Sequence, residues 1–194
     1  MVFFGHMNDS PLFIPVLLGS IRDERVSDKA AAYVAKLLNE RGIKSEVVDP
    51  KTYHRAESLE QQRPKPWSTI MQKADGLVIV TPEYNHGYPG ALKEMLDSCY
   101  AEYAHKPVAI CGCSMGPFGG ARVVEQLRQV MIELSMVPMR NAVYFSNHND
   151  LWNADGSIKD PSYAERIRPL LDELAWYAEA LKNQRESKPF AGKK

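Results

Sequence analysis

The chain has 194 residues, enough for one sizeable α/β domain with a well-buried core. Lys+Arg and Asp+Glu both total 24, so net charge is zero; this excludes a general affinity for nucleic acid or an anionic membrane and makes any positive site local. No segment approaches the length of a transmembrane helix, and an odd number of cysteines, 3, argues against a disulfide framework and fits a reducing cytoplasm.

The N-terminus, MVFFGHMNDSPLFIPVLLGS, lacks a basic leader region, and its second apolar patch runs straight into Gly19-Ser20. It reads as a loose tail over Met1–Ser10 followed by a first strand, Pro15–Ser20, with Pro15 tolerable at the leading position. Val26–Arg41 is helical, with Ala30, Ala31, Val34, Leu37 and Leu38 on one stripe. A second strand is expected at Ser45–Val48 after the stop at Gly42, and Trp67–Ala74 is a short helix. Gly76–Thr81 (GLVIVT) and Pro107–Cys113 (PVAICGC) are unbroken apolar runs of the kind buried on both faces of a parallel sheet. Between them Gly90–Tyr100 carries Leu92, Met95, Leu96 and Cys99 at helical spacing. Gly120–Met136 and Pro161–Gln184 are amphipathic helices on either side of a fifth strand, Ala142–Phe145. Lys188–Lys194 closes the chain as a second mobile end, and the charges from Lys182 onward suit a frayed, solvated terminus.

Strands alternating with helices imply a doubly wound parallel sheet, because parallel neighbours need crossover helices. Five strands suit the flavodoxin-like order 2-1-3-4-5, in a single domain over residues 1–194. Ligands of such sheets bind outside the carboxyl ends of the strands, at the point where the strand order reverses. Three loops meet there: GSIRDERVSD after strand one, TPEYNHGYPG after strand three and GCSMGPFGGAR after strand four.

Each loop has its own chemistry. In the first, Ser20 and Ser27 offer hydroxyls and Arg22 a planar fork, with Arg25 alongside, at the start of a helix whose unpaired N–H groups favour an anion. Ser27 alone would read as a helix cap; Gly-Ser-x-Arg with Ser27 beyond it reads as a phosphate site. The second loop, Thr81–Gly90, has two prolines and a glycine that suit an irregular backbone with polar groups free to read a ring edge, and Tyr84 as an apolar plate. The third loop holds Gly112, Gly116, Gly119 and Gly120, which permit either close approach of a flat ligand or tight turns. Ser114 is a donor for a ring carbonyl, and Phe118 a cover. The chain has no G-x-x-x-x-G-K-[ST], and its glycines do not form G-x-G-x-x-G after strand one, which disfavours a P-loop or a conventional dinucleotide site.

Gly19-Ser20-Ile21-Arg22 with Ser27, Pro82-Glu83-Tyr84-Asn85 followed by Pro89-Gly90, and Ser114-x-Gly116-x-x-Gly119-Gly120-x-Arg122 together resemble the NADPH-dependent FMN reductase family, a branch of the flavodoxin-like flavoproteins. The likeness spans Pro15 to Phe145, with NADGSIKD also similar. It implies non-covalent FMN, its phosphate on Ser20, Arg22 and Ser27 with Arg25 as an addition, and its ribityl chain and ring along Pro82, Glu83, Tyr84 and Asn85. Ser114, Gly116, Gly119 and Gly120 would border the polar edge of the ring. It also implies NADPH (or NADH) as hydride donor and a homodimer or homotetramer, for which Tyr88, Met95 and Tyr100 are surface candidates. With little chain left for a separate nicotinamide site, ping-pong transfer through the flavin N5 to a small-molecule acceptor is expected: free flavin, a quinone, an azo compound or a metal oxyanion. No residue is needed as a covalent nucleophile. The competing reading is a flavodoxin-like electron carrier, against which Arg22 and the neutral charge argue.

Other features carry less. Cys111 and Cys113 form C-x-C, which on a strand points to one buried face. His6, His54, His105 and His148 lack ligand spacing, so no metal is expected. LWNADGSIKDPS has Leu151 and Ser162 where a calcium loop needs carboxylates, and reads as a turn.

Overall fold

The computed structural model describes residues 10–52 and 65–191. His6, His54, residues 1–9 of the expected N-terminal tail and 192–194 of the expected C-terminal one lie outside the described residues.

Strand β1 is Val16–Leu18, β2 Val47–Val48, β3 Leu77–Pro82 and β4 Pro107–Cys113. Two short strands follow, β5 (Val137–Pro138) and β6 (Val143–Phe145). The helices are α1 (Ser27–Glu40), α2 (Lys65–Lys73), α3 (Gly90–Asp97), α4 (Ala121–Glu133) and α5 (Ser162–Ser187). All strand pairs are parallel, in the order β2-β1-β3-β4, with β5 and β6 both on the outer edge of β4. This is the expected flavodoxin-like order with its fifth position split. Val137 pairs at the level of Pro107, Val143 at the level of Cys111. Pro138 brings no N–H to the ladder, and the chain leaves the sheet over 139–142. The Arg128 guanidinium donates to the carbonyls of Met139 and Arg140, which satisfies the break from α4.

Period-two alternation sorts the central strands into two cores. Val16, Leu18, Val78, Val80, Ala109, Cys111 and Cys113 pack against α1 and α5. Leu17, Leu77, Ile79, Val108 and Ile110 pack against α2, α3 and α4. Helices therefore cover both faces, and β4 and residues 77–80 of β3 are apolar throughout because neither face meets water. Cys111 and Cys113 do share one buried face, and burial pushes the Cys111 thiol up to about 12.

Two expectations need correction. The helix read as running to Tyr100 ends at Asp97, and a single 3₁₀ turn, Ala101–Tyr103, follows. The charged C-terminal stretch is not solvated throughout: Lys182 and Arg185 reach the buried Asp75 at 3.1 and 3.5 Å, and Asp75 also accepts the Phe13 N–H at 3.0 Å. A buried carboxylate needs such partners, and the last turns of α5 supply them.

Candidate flavin and nicotinamide site

β1, β3 and β4 deliver their loops to one end of the sheet, as the strand order requires. Gly19 is fixed by packing, since a Cβ there would lie 2.3 Å from Thr81 Oγ1 on β3. The next residue, Ser20, is buried, and its hydroxyl shares a 2.8 Å hydrogen bond with the Tyr84 hydroxyl. The Arg22 N–H donates to Ser20 Oγ at 3.3 Å, and the exposed Arg22 guanidinium lies 5.5 Å from the centre of the Tyr84 ring. Among the described residues Arg22 has no carboxylate partner. Tyr84 therefore stands at the first loop, against Ser20 and Arg22, rather than free as a plate.

Arg25 differs from Arg22. Its guanidinium is paired with Asp49 just past β2, and it also donates to the Arg22 carbonyl at 3.5 Å. Lys51, in the turn after β2, pairs with Asp23. These two ion pairs brace the first loop from outside and leave Arg22 at its tip.

Ser27 begins α1 but does not cap it. Its residue is 2% exposed, its Oγ has no hydrogen-bond partner, and the N-cap position belongs to Val26, which has no capping side chain. A buried hydroxyl without a partner costs about 1–3 kcal/mol. Beside an uncapped helix N-terminus, it is a donor set aside for an acceptor oxygen, and a phosphate fits that chemistry.

The second loop is tighter than its composition suggests. Tyr84 and Gly87 exchange both backbone hydrogen bonds at 2.9 Å. Asn85 and His86 between them have φ of 49° and 68°. This is a two-residue hairpin turn with both central residues left-handed, not an irregular backbone. Pro82 is the last residue of β3, and the Glu83 N–H is taken by the Cys113 carbonyl at 3.0 Å. The Glu83 side chain is 4% exposed and turns to the third loop: one carboxylate oxygen accepts Nε of Arg122 at 2.5 Å, the other the backbone N–H of Arg122 at 3.2 Å.

The third loop folds back on β4. A Cβ on Gly119 would lie 2.6 Å from Tyr144 Cβ, and one on Gly120 would lie 2.8 Å from the Cys113 nitrogen; both glycines have positive φ. These two serve the loop's own packing. Gly116 differs, since a Cβ there meets nothing within 4 Å, which leaves room for close approach. The Ser114 hydroxyl donates to the Gly116 carbonyl at 2.9 Å, while Met115 and Phe118 stand exposed on the loop.

Two residues that the sequence did not mark as functional complete the frame. Gln126 donates from Nε2 to the His86 carbonyl at 2.8 Å. His148 is buried, its backbone N–H donates to the Ser114 carbonyl at 3.0 Å, and its side-chain Nδ1 accepts the Trp152 indole N–H at 3.3 Å. An indole nitrogen only donates, so the imidazole is neutral with its proton on Nε2. Burial depresses its pKa, partly offset by the Val26 carbonyl at the start of α1. Neither residue has a sequence signature; only the return of β6 and α4 to this end of the sheet reveals them. Of the interface candidates, Met95 is in the core while Tyr100 is exposed. Among the described residues no group of side chains is arranged to hold a metal ion, and no helix is long and apolar enough to cross a membrane.

The NADPH-dependent FMN reductase family model matches residues 14–150. An NAD(P)H-dependent FMN reductase of Saccharomyces cerevisiae is 30% identical over 145 residues, covering 63% of this chain and 75% of that one. A quinone reductase of Escherichia coli strain K12 is 33% identical over 118 residues, 58% of this chain and 63% of its own. Among solved structures, the flavoenzyme FerB, an NAD(P)H:(acceptor) oxidoreductase from Paracoccus denitrificans, superposes with a TM-score of 0.72 at 25% identity, covering 87% of this chain and 98% of FerB.

Proposed function

The chain belongs to the NADPH-dependent FMN reductase family, oxidoreductases that work with FMN and NAD(P)H, and from that premise we propose that donor and acceptor use one site in turn, in ping-pong order. FMN, when bound, would supply the two-electron redox chemistry between NADPH (or NADH) and a small-molecule acceptor: free flavin, a quinone, an azo compound or a metal oxyanion. The protein's part is to bind, orient and exclude, and no side chain acts as a nucleophile.

Ser20, Arg22 and Ser27 hold the phosphate. Ser27 would donate from its buried, unpartnered hydroxyl, and the guanidinium of Arg22, which lies against Tyr84, would supply the charge. Arg25 contributes through Asp49, which keeps the loop carrying Arg22 in shape. Pro82, Glu83, Tyr84 and Asn85 border the ribityl chain and ring, with the exposed Asn85 side chain at the tip of the hairpin. Ser114, Gly116, Gly119 and Gly120 form the opposite border, where Gly116 gives the room and Ser114 a hydroxyl. The observation that carries this reading is the unpartnered Ser27 hydroxyl at an uncapped helix start. The whole chain acts as one domain, in the cytoplasm, as a homodimer or homotetramer in which the exposed Tyr100 is a candidate contact. Its cysteines Cys111 and Cys113 are buried free thiols that take no part.

The test is anaerobic mixing of FMN-loaded protein with NADPH, then with a quinone. Rapid bleaching, return of colour on adding the quinone, and parallel double-reciprocal plots are expected. Intersecting plots would replace alternate occupancy with a ternary complex. A flavin that NADPH cannot bleach would make the chain an electron carrier.

A further inference from the structure

The hairpin Tyr84–Gly87 carries a histidine, His86, where a turn of its shape most often has glycine. Two successive non-glycine residues occupy the left-handed region, and the second is a histidine. L-residues disfavour that region, and turns of this type are dominated by Gly, Asn and Asp. α4 braces the turn at two points. Arg122 holds Glu83 just before the turn through its Nε, its terminal nitrogen and its backbone N–H. Gln126 donates to the His86 carbonyl inside the turn at 2.8 Å. The spacing is i, i+4, so both side chains leave the same face of the helix, one turn apart. Gly87 makes the fit close: a Cβ there would lie 3.2 Å from Gln126 Oε1.

The same contact finishes α4. Gly120, at the cap position, has no side chain to offer, and the Glu83 carboxylate accepts an N–H of the first turn in its place. A carboxylate at a helix N-terminus is favoured by the helix dipole. Arg122 also lies over the Phe118 ring at 5.5 Å, so the clasp reaches the exposed lip of the third loop.

We infer that Arg122 and Gln126 are positioning residues: they clasp the Glu83–His86 segment to α4 and thereby preset the two loops that flank the flavin ring. The inference rests on the flavin reading of the site. Neither residue itself touches the first loop's Ser20, Arg22 or Ser27; the clasped segment meets that end through Tyr84, whose hydroxyl bonds Ser20 and whose ring faces Arg22.

Riboflavin, which has the ring and ribityl chain but no phosphate, separates the two ends. Flavin-stripped wild type, Arg122→Met, Arg122→Lys and Gln126→Leu proteins are titrated with FMN and with riboflavin by fluorescence quenching, alongside thermal melts. Loss of preorganisation in Arg122→Met is expected to weaken riboflavin as well as FMN, each by about tenfold or more, and Gln126→Leu by about threefold. Arg122→Lys is expected to recover part of the loss, since the charge persists without the fork. A folded Arg122→Met or Gln126→Leu protein that binds both flavins as wild type does overturns the clasp. So does a loss confined to FMN, which would move Arg122 to the phosphate end. If Arg122→Met fails to fold, the surface variant Gln126→Leu decides alone by the same criteria. Wild type that binds neither flavin instead overturns the flavin reading itself.

Discussion

Two helices start at the same end of this sheet, each after a glycine-containing loop, and they use their N-termini in opposite ways. At α1 the cap residue Val26 has no polar side chain, the exposed Asp28 takes only the Lys29 N–H, Ser27 Oγ is buried without a partner, and Arg22 at the tip of the loop has no carboxylate among the described residues. At α4 the first turn is closed by Glu83, and the arginine beside it, Arg122, is already paired. Both helix starts have glycine and arginine beside them in the sequence. Only one is open. Both first turns give one N–H to a carboxylate, but at α4 the arginine is spent on that carboxylate too, whereas at α1 Arg22 and the Ser27 hydroxyl remain open, so the α1 end is the one suited to an anionic cofactor and the α4 end to holding loops.

The largest effect that could break this contrast is at the open end. Arg22→Ala is expected to weaken FMN binding by about 1–3 kcal/mol while leaving riboflavin unaffected, as a lost charge-assisted contact to phosphate requires. Titration with the two flavins measures it, and an equal loss for both would remove Arg22 from the phosphate. Next comes the closed end, where Glu83→Ala strips acceptors from the first turn of α4 and from Arg122. A stability loss of about 2 kcal/mol is expected by urea unfolding of the flavin-free protein, kept from being larger by the half-exposed Arg122. No loss would mean that solvent replaces Glu83 and that the α4 end is not closed at all.

Ser27→Ala sharpens the contrast through its sign. Removing a buried hydroxyl with no partner is expected to stabilise the flavin-free protein by about 1 kcal/mol while weakening FMN binding. The same melt and titration on one variant test both halves; a less stable apo protein would show that Ser27 already has a structural partner.

The smallest expected effect concerns His148, between the third loop and the start of α1. Its pKa is lowered by burial from the ordinary 6.5, so below that value the unfolded chain takes up a proton that the folded one resists. Stability then falls as pH falls through this range, and protonation would also place a proton on the Nδ1 that accepts from Trp152. His148→Gln is expected to flatten the decline of the melting temperature between about pH 7 and pH 5 relative to wild type. Identical slopes in the two proteins would show that His148 titrates alike in both states.

Much of the fold was legible because its signals are local. The unbroken apolar runs of β3 and β4, the stripes of α1 and α4, and the alternation of strands with helices each follow from periods of two and 3.6 residues. The split fifth strand was not legible, since two-residue strands carry no period and are held by Arg128 from another element. Nor was the partnership of Lys182 and Arg185 with Asp75, which joins residues more than a hundred positions apart. In the site, the first loop could be read as a phosphate loop from Ser20, Arg22 and Ser27, yet nothing local told Arg22 from Arg25. Asp49, just past β2, makes that distinction. The second loop hid a regular hairpin behind prolines, because its tip is Asn-His rather than Asn-Gly.

Composition, periodicity and loop chemistry by themselves determined that this is a doubly wound parallel α/β chain with three marked loops gathered at one end. Which polar groups at that end remain open and which are spent on one another was decided only in three dimensions. The physical reason is that a hydroxyl, a carboxylate or a guanidinium has the same chemistry wherever it stands in a sequence. Whether it has a partner depends on what the other strands and helices bring within three ångströms of it.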